Sequence, residues 1–368
     1  MKKKLLFTAY SLEVGGIENA LINLLNNLDY NKYEITLVLE KKVGIFLDKL
    51  PKYIKIEEYK VSNFKITLIR KILNRMKLIM WILKNKNKYD FSCSFATYSI
   101  PGAHLAINGS KNSALWMHGN YYVLYDKDAI KMQKFLNSVC IDKFKYNVYV
   151  SNENMVDITN HYPKIKSKGV VCNNLINYKQ IMELSNEKID YHKDKLTILN
   201  IGRQEQHQKR LTRIFDAIKK LKKEKYDFKL ILVGDGPDCS YYKKYVIDNE
   251  IEDYVDFLGQ KKNPYPYMKL SDAVVLSSAY EGYPVVFLES LVLNKPILST
   301  KVSDWQQLDN INGIFVENDD TSIYYAIKKF LDEGFKIKDN FNAHNFNKDI
   351  MNKIEKIINN SIEVKHER

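Results

Sequence analysis

Two glutamates eight positions apart, Glu281 and Glu289, stand in the stretch SSAYEGYPVVFLES, from Ser277 to Ser290. Between them lie Gly282, Tyr283 and Pro284, followed by a run of bulky apolar residues. A carboxylate accepts hydrogen bonds, so two beside one loop suit a polyol. Gly282 lets a ligand approach the backbone closely, and Pro284 suits the first residue of a helix, where its missing N–H costs nothing. The free N–H groups at such a helix start can take phosphate or sugar oxygens. The helix PVVFLESLVL is apolar nearly all round, which predicts that it is buried with Glu289 inside it. An uncompensated charge there costs several kcal/mol, so Glu289 needs a partner. A neighbouring lysine would make a purely structural ion pair. The glycine and the helix start beside it favour a ligand instead, and sugar hydroxyls, including those of a ribose, are the natural donors.

Such residues need rigid elements to hold them. DAVVLSS, just before the loop, is a short uninterrupted apolar run of the kind that forms a fully buried parallel strand, expected over Ala273 to Ser277. Elsewhere short apolar runs alternate with helical patterns: LLFTAY, IENALINLLNNL and YEITLVL early in the chain, KLTILNIG, RIFDAIKKL and FKLILVGDG later. This alternation predicts parallel sheets built from βαβ units. It occurs twice, over roughly residues 3 to 175 and from about Lys195 to Phe315, with a polar connecting stretch between. The 368 residues suit two domains, and open α/β sheets bind ligands beyond the carboxyl ends of their strands, so the chemistry is expected in a cleft between the two. Arg203 and Lys209 follow the strand TILNIG, where cations would meet a diphosphate.

The net charge of +13 attracts phosphate-rich partners. The four cysteines, Cys93, Cys140, Cys172 and Cys239, are scattered without metal-ligand spacing and suggest a reducing compartment and no zinc site. The opening MKKKLLFTAYSLE has too short an apolar stretch for a signal peptide, and no uncharged apolar stretch reaches the roughly 20 residues of a membrane span. A cytoplasmic protein is expected.

Five ordered stretches resemble the retaining glycosyltransferases of the GT-B fold, family 4, the glycosyl transferases group 1, of the bacterial surface-polysaccharide type. They are GGIENALINLL, ALWMHGNY, YVSNENM with VVCNNLIN, LNIGRQEQHQKRLTRIFDAI with LILVGDGP and VDFLGQ, and the stretch with two glutamates. The resemblance implies an α/β GT-B architecture of two Rossmann-like domains with parallel sheets facing a deep interdomain cleft. Residues 1–175 would bind acceptor and 176–345 the nucleotide sugar, and 346–368 would form a helix packing back on the first domain. It implies that Arg203 and Lys209 hold the donor diphosphate and that Glu289 accepts from the ribose hydroxyls. Glu281 would accept from the transferred sugar, with Gly282 and Tyr283 facing phosphate and sugar. Phe257, Leu258 and Gly259 would line the base, Gly16 would approach the diphosphate, and His118 would sit at the reacting sugar. Glu281 and His118 are thus the implied catalytic residues.

Three features depart from the family pattern. One extra residue separates Arg203 from Lys209, which leaves Arg210 as an alternative phosphate ligand, and Ser303, Asp304 and Asn294 stand where glycines are usual. The implied reaction transfers a hexose or N-acetylhexosamine with retention, from a nucleotide-diphosphate sugar, UDP-linked by preference, to a glycan acceptor in capsule, O-antigen or exopolysaccharide synthesis. The cations and helix amides would stabilise the leaving diphosphate, with no metal and no cofactor. A sugar-nucleotide epimerase of the same fold is the nearest alternative, and a protein or teichoic acid acceptor another. Nucleic acid is not an expected partner, because no recognised binding module is visible.

The acceptor is expected on a lipid because of one helix. Lys65 to Lys88 holds eight Lys or Arg and no acid. At about 100° per residue, Arg70, Lys77, Trp81, Lys84 and Lys88 form a stripe, with Ile69, Ile72, Leu73, Met76, Ile79, Met80 and Leu83 opposite or adjoining. A tryptophan among cations suits an anionic headgroup layer, so the stripe is expected to meet the inner face of the cytoplasmic membrane, in preference to a core-packing helix with a solvated basic side.

Overall fold

The computed structural model describes residues 1–13 and 15–361, which form two compact units. The first comprises residues 1–175 together with the C-terminal segment from Phe346, and the second residues 176–345. Only the part of the expected C-terminal helix beyond residue 361 lies outside the described residues.

In the first unit the strands are β1 (Lys3–Ala9), β2 (Tyr33–Leu39), β3 (Lys55–Glu58), β4 (Phe91–Ser94), β5 (Ser113–Met117), β6 (Tyr146–Tyr149) and β7 (Gly169–Val171). They form one sheet in the order β3-β2-β1-β4-β5-β6-β7, all pairs parallel. Its helices are α1 (Gly16–Asn27), α2 (Thr67–Asn85), α3 (Ile100–Gly109), α4 (Tyr121–Leu124), α5 (Ala129–Ser138) and α6 (Asn152–His161). Middle strands such as β1 and β5 are largely apolar and buried on both faces, which a sheet covered by helices on two sides satisfies.

The second unit holds β8 (Thr197–Ile201), β9 (Lys229–Val233), β10 (Val255–Gly259), β11 (Ala273–Leu276), β12 (Ile297–Thr300) and β13 (Gly313–Val316), again all parallel, in the order β10-β9-β8-β11-β12-β13. Its helices are α7 (Tyr178–Leu184), α8 (Gln206–Lys209), α9 (Thr212–Lys223), α10 (Cys239–Asp248), α11 (Tyr265–Leu270), α12 (Val285–Val292) and α13 (Ile323–Glu333). On α9, Ile214, Phe215, Ile218 and Leu221 recur at helical spacing and pack with Leu230 and Leu232 of β9. Strand order reverses between β8 and β11, so the chain leaves these neighbours toward opposite faces and opens a crevice at their carboxyl ends. A last helix, α14 (Ala343–Ile358), returns to the first unit, where Tyr146 donates to Asn360 Oδ1 at 2.8 Å and Asn112 Nδ2 to the Ile358 carbonyl at 2.9 Å.

Two expectations change. The connecting stretch is not merely polar chain, because Tyr178–Leu184 folds into α7, capped by the Asn177 side chain. More consequentially, α2 packs on the protein by a different side from the one expected, although Arg70 and Lys84 are exposed. Trp81, expected in the outward stripe, packs with Leu78 against Leu6, Val38 and Leu105. Lys77 lies on the same inward half, its Nζ donating to the Lys60 carbonyl at 3.0 Å. Asn74 and the buried Asn85 also face inward, where Asn74 Oδ1 accepts from the Ser62 N–H at 2.6 Å. The apolar face, with Ile72, Met76, Ile79, Met80 and Leu83, is exposed, so α2 is not the alternative core-packing helix with a solvated basic side.

Candidate active site

The loops after β8, β9, β11 and β12 meet at the switch point of the second sheet. After β8 the chain runs through Gly202 and Arg203 into the four-residue helix α8, which ends at Lys209. Arg210 then adopts a left-handed conformation, φ 49°, and α9 begins. Between Arg203 and Lys209 the chain thus makes one short helical turn, and a left-handed kink follows it. After β9, a side chain at Gly234 would strike the Gly202 carbonyl oxygen at 1.9 Å, and one at Gly236 the Gln204 carbonyl oxygen at 2.3 Å. Only glycines let these two loops cross so closely.

Lys209 turns to the loop after β11. Its Nζ donates to Glu281 Oε1 at 2.6 Å, and the pair is largely enclosed, with side-chain exposures of 20% and 8%. Glu281 also accepts from Ser278 Oγ at 2.7 Å and from Gln208 Nε2 at 3.3 Å. Main-chain links fix α8 to this loop, since Ala279 N donates to the Gln208 carbonyl at 2.8 Å and Ser277 Oγ to that of Lys209 at 2.9 Å. The lysine partner weighed above for Glu289 therefore belongs to Glu281. Arg203, by contrast, is 69% exposed and only loosely paired with Glu205, at 3.7 Å, so its guanidinium is free to swing.

Glu289 projects from α12, whose cap is Pro284, one position ahead of where the sequence suggested. Its carboxyl accepts from the Tyr265 hydroxyl at 3.1 Å. Burial raises its pKa to about 7, and the Tyr265 hydrogen bond only partly offsets this. Glu289 is accordingly poised near half-ionisation at neutral pH. Ser303 and Asp304, after β12, meet the loop after β11. Ser303 is buried in a left-handed conformation, φ 57°, and donates to the Gly282 carbonyl at 2.8 Å. Asp304 is close enough to Tyr283 to add to the rise that burial imposes on the Tyr283 phenol.

A residue with no distinguishing signal in sequence braces the loop from beneath. Arg213, at 8% exposure, donates through Nη1 to the Ser277 carbonyl at 3.1 Å and to Asn318 Oδ1 at 2.8 Å, and through Nε to Asp320 at 2.9 Å. Asn318 Nδ2 in turn donates to the Ala279 carbonyl at 2.8 Å. The acidic pair after β13 has separate tasks, because Asp319 caps the start of α13 by accepting from Thr321 N and Ser322 N at 2.7 and 2.8 Å. The Ser322 hydroxyl, which also donates to it, together with these backbone bonds holds the Asp319 carboxyl well below the usual carboxylate range.

The remaining expected residues lie elsewhere. Phe257, Leu258 and Gly259 end the edge strand β10, with Gly259 at φ +68° and open space on its side-chain side. Phe257 packs on Phe215, ring centroids 6.4 Å apart. In the first unit, Gly16 begins α1 and a side chain there would meet nothing within 4 Å, so packing does not demand glycine. His118 follows β5 and tilts against Phe95, centroids 4.6 Å apart. Neither of its ring nitrogens, both buried, makes a hydrogen bond of ordinary geometry. Burial lowers its pKa to about 3 against a small opposing effect of the Phe95 backbone, so the imidazole is neutral.

Residues 182–361 match the family model described as glycosyl transferases group 1. An uncharacterized glycosyltransferase of Methanocaldococcus jannaschii, MJ1059, is 30% identical over 210 residues, 53% of this chain and 49% of that protein. The chain thus spans about half of that relative. The N-acetylgalactosamine-N,N'-diacetylbacillosaminyl-diphospho-undecaprenol 4-alpha-N-acetylgalactosaminyltransferase of Campylobacter jejuni is 25% identical over 358 residues, 90% of this chain and 91% of that one. Among solved structures, Anabaena Alr3699/HepE in complex with UDP and glucose superposes with a TM-score of 0.74 at 15% identity, over 96% of this chain and 99% of that one. The fold is GT-B.

Proposed function

We propose that this chain, which belongs to the glycosyl transferases group 1, is a retaining glycosyltransferase that moves a hexose or N-acetylhexosamine from a UDP-sugar to a lipid-linked glycan in surface-polysaccharide synthesis. One observation carries the donor side of this reading. At the switch point between β8 and β11 a cation, Lys209, pairs with the enclosed Glu281, and the loop that holds Glu281 leads into the helix that carries Glu289, beside loops whose glycines bring backbone within reach of a ligand.

In this reading Arg203 and Lys209 bind the diphosphate, and Lys209 shares its charge between Glu281 and the phosphates. Glu289 accepts from the ribose hydroxyls, and Glu281 from a hydroxyl of the transferred sugar. Gly282 and Tyr283 face phosphate and sugar, Phe257 to Gly259 line the base, Gly16 is assigned the diphosphate and His118 the reacting sugar. His118, being neutral, serves as a hydrogen-bonding group rather than a charged acid. The bond from the anomeric carbon to the phosphate oxygen breaks while the acceptor oxygen bonds the same face, and the acceptor proton passes to the departing phosphate. Preorganised cations are what such a leaving group requires, and this reading calls for no metal.

The acceptor side draws on different support. The name of the Campylobacter relative puts its acceptor on diphospho-undecaprenol, and HepE was solved with UDP and glucose. The first agrees with a lipid-linked acceptor and the second with a UDP-sugar donor, and the reading sets their meeting at the membrane's inner face. No helix among the described residues is long and apolar enough to cross a membrane, and the reading takes the attachment as peripheral.

The test is incubation of the purified protein with radiolabelled UDP-sugars, with and without a lipid-linked glycan. Label moving into the lipid fraction with the donor's anomeric configuration supports the reading. Label remaining on nucleotide but in an epimeric sugar would replace it with epimerisation, and an inverted linkage would remove the retaining mechanism.

A further inference from the structure

We infer that α2 is an interfacial anchor that sinks its solvent-facing apolar side into an anionic membrane surface, with its cations flanking that side among the headgroups. Leu68, Ile72, Met76, Ile79, Met80 and Leu83 share one arc of the helix, and each is exposed, from 48% at Ile79 to 81% at Leu83. Single exposed apolar side chains are ordinary on a protein surface, whereas a contiguous face of six is not. The arc is turned away from the protein because the opposite side is occupied by Trp81, Leu78, Asn74 and Asn85. At about 100° per residue, Lys71 and Arg75 fall along one border of the arc, and Lys84 and Arg70 along the other. All four are exposed, and α2 contains no acidic residue.

Charge decides what covers this face. A second copy meeting it about a twofold axis would set two acid-free basic borders against each other, which repel. An anionic lipid surface matches both parts, because acyl chains accept the apolar arc and the long basic side chains reach the headgroups beside it. The order of the faces is that of a helix lying in the plane of the interface. The inward side holds the protein, the outward side holds lipid, and cations mark the waterline. Because α2 follows β3 and precedes β4, the anchor belongs to the unit proposed to receive the acceptor. It deepens the lipid-linked reading without depending on it, since binding to lipid is read without donor or acceptor.

The experiment measures sedimentation of the full chain with vesicles of phosphatidylcholine, alone or mixed with phosphatidylglycerol. Wild type should bind the mixed vesicles, and far less the neutral ones. Met76→Glu with Met80→Glu should weaken binding at least about tenfold with an unchanged melting temperature, because both side chains already face solvent. Lys71→Gln, Arg75→Gln and Lys84→Gln together should weaken binding and flatten its salt dependence. Transfer to a water-soluble acceptor should survive both sets, and its absence in wild type would count against the transfer reading while leaving the anchor standing. Failure of wild type to bind mixed vesicles, or undiminished binding by the double glutamate variant, would overturn the anchor. So would a wild-type dimer that the glutamates convert to monomer.

Discussion

Because burial lifts the Glu289 carboxyl to about 7, its ionisation opposes folding but favours a ligand that donates hydrogen bonds to it. The same group titrates near 4.5 when exposed, so the folding penalty is absent below about that pH. It grows as pH rises toward 7 and is complete above it, at roughly 3 kcal/mol. Donor hydroxyls stabilise the ionised form, so UDP should bind several-fold more tightly at pH 8 than at pH 6, releasing a proton, as calorimetry in two buffers would measure. Glu289→Gln should flatten that dependence, weaken binding at pH 8 and melt no lower than wild type there. A second residue-scale prediction separates two neighbouring cations. Lys209→Ala should raise the donor KM and cut kcat by about 10²-fold, whereas Arg210→Ala should leave UDP affinity unchanged. A silent Lys209→Ala with an impaired Arg210→Ala would transfer the phosphate role. At this scale the sequence marked Lys209, Glu281 and Glu289, but not their partners. Tyr265 reaches Glu289 from another helix, and only the fold brings them together.

Among elements, α9 is what keeps the loop after β11 in place. Arg213 ties it to Ser277 and Asn318, so Arg213→Leu removes hydrogen bonds to buried main chain without removing any proposed donor contact. Stability should fall by roughly 2 to 3 kcal/mol, and the donor KM should rise while the pH dependence set by Glu289 persists. An unchanged KM in a destabilised variant would confine Arg213 to folding. The parallel sheets were legible because buried strands such as AVVL and LILV are apolar without alternation, and helical patterns separate them. Arg213 was not, since KRLTR presents three cations and only burial distinguishes the one that braces a loop. For α2, periodicity correctly divided apolar from basic residues but could not say which side the protein would occupy. The deciding contacts are Trp81 and two asparagines, residues that composition alone assigns outward.

The molecule as a whole is not two units in series, because α14 sends the chain back to the first after the second is complete. Ile350, Ile354, Ile357 and Ile358 are each 3% exposed or less, so the return is a packed junction. Ile357→Ala should cost the first unit roughly 2 to 5 kcal/mol. A variant retaining only Trp116, in the first unit, should then unfold at lower urea. One retaining only Trp305, in the second, should shift less; equal shifts would mean that the units unfold together. The return also sets a timetable for a chain made from its N-terminus. The first 175 residues leave the ribosome without the helix that closes them, and another 170 residues, 176 to 345, must be made before it appears. At 5 to 20 residues per second that interval is on the order of ten to thirty seconds, during which the seat for four isoleucines on the nascent first unit stays uncovered.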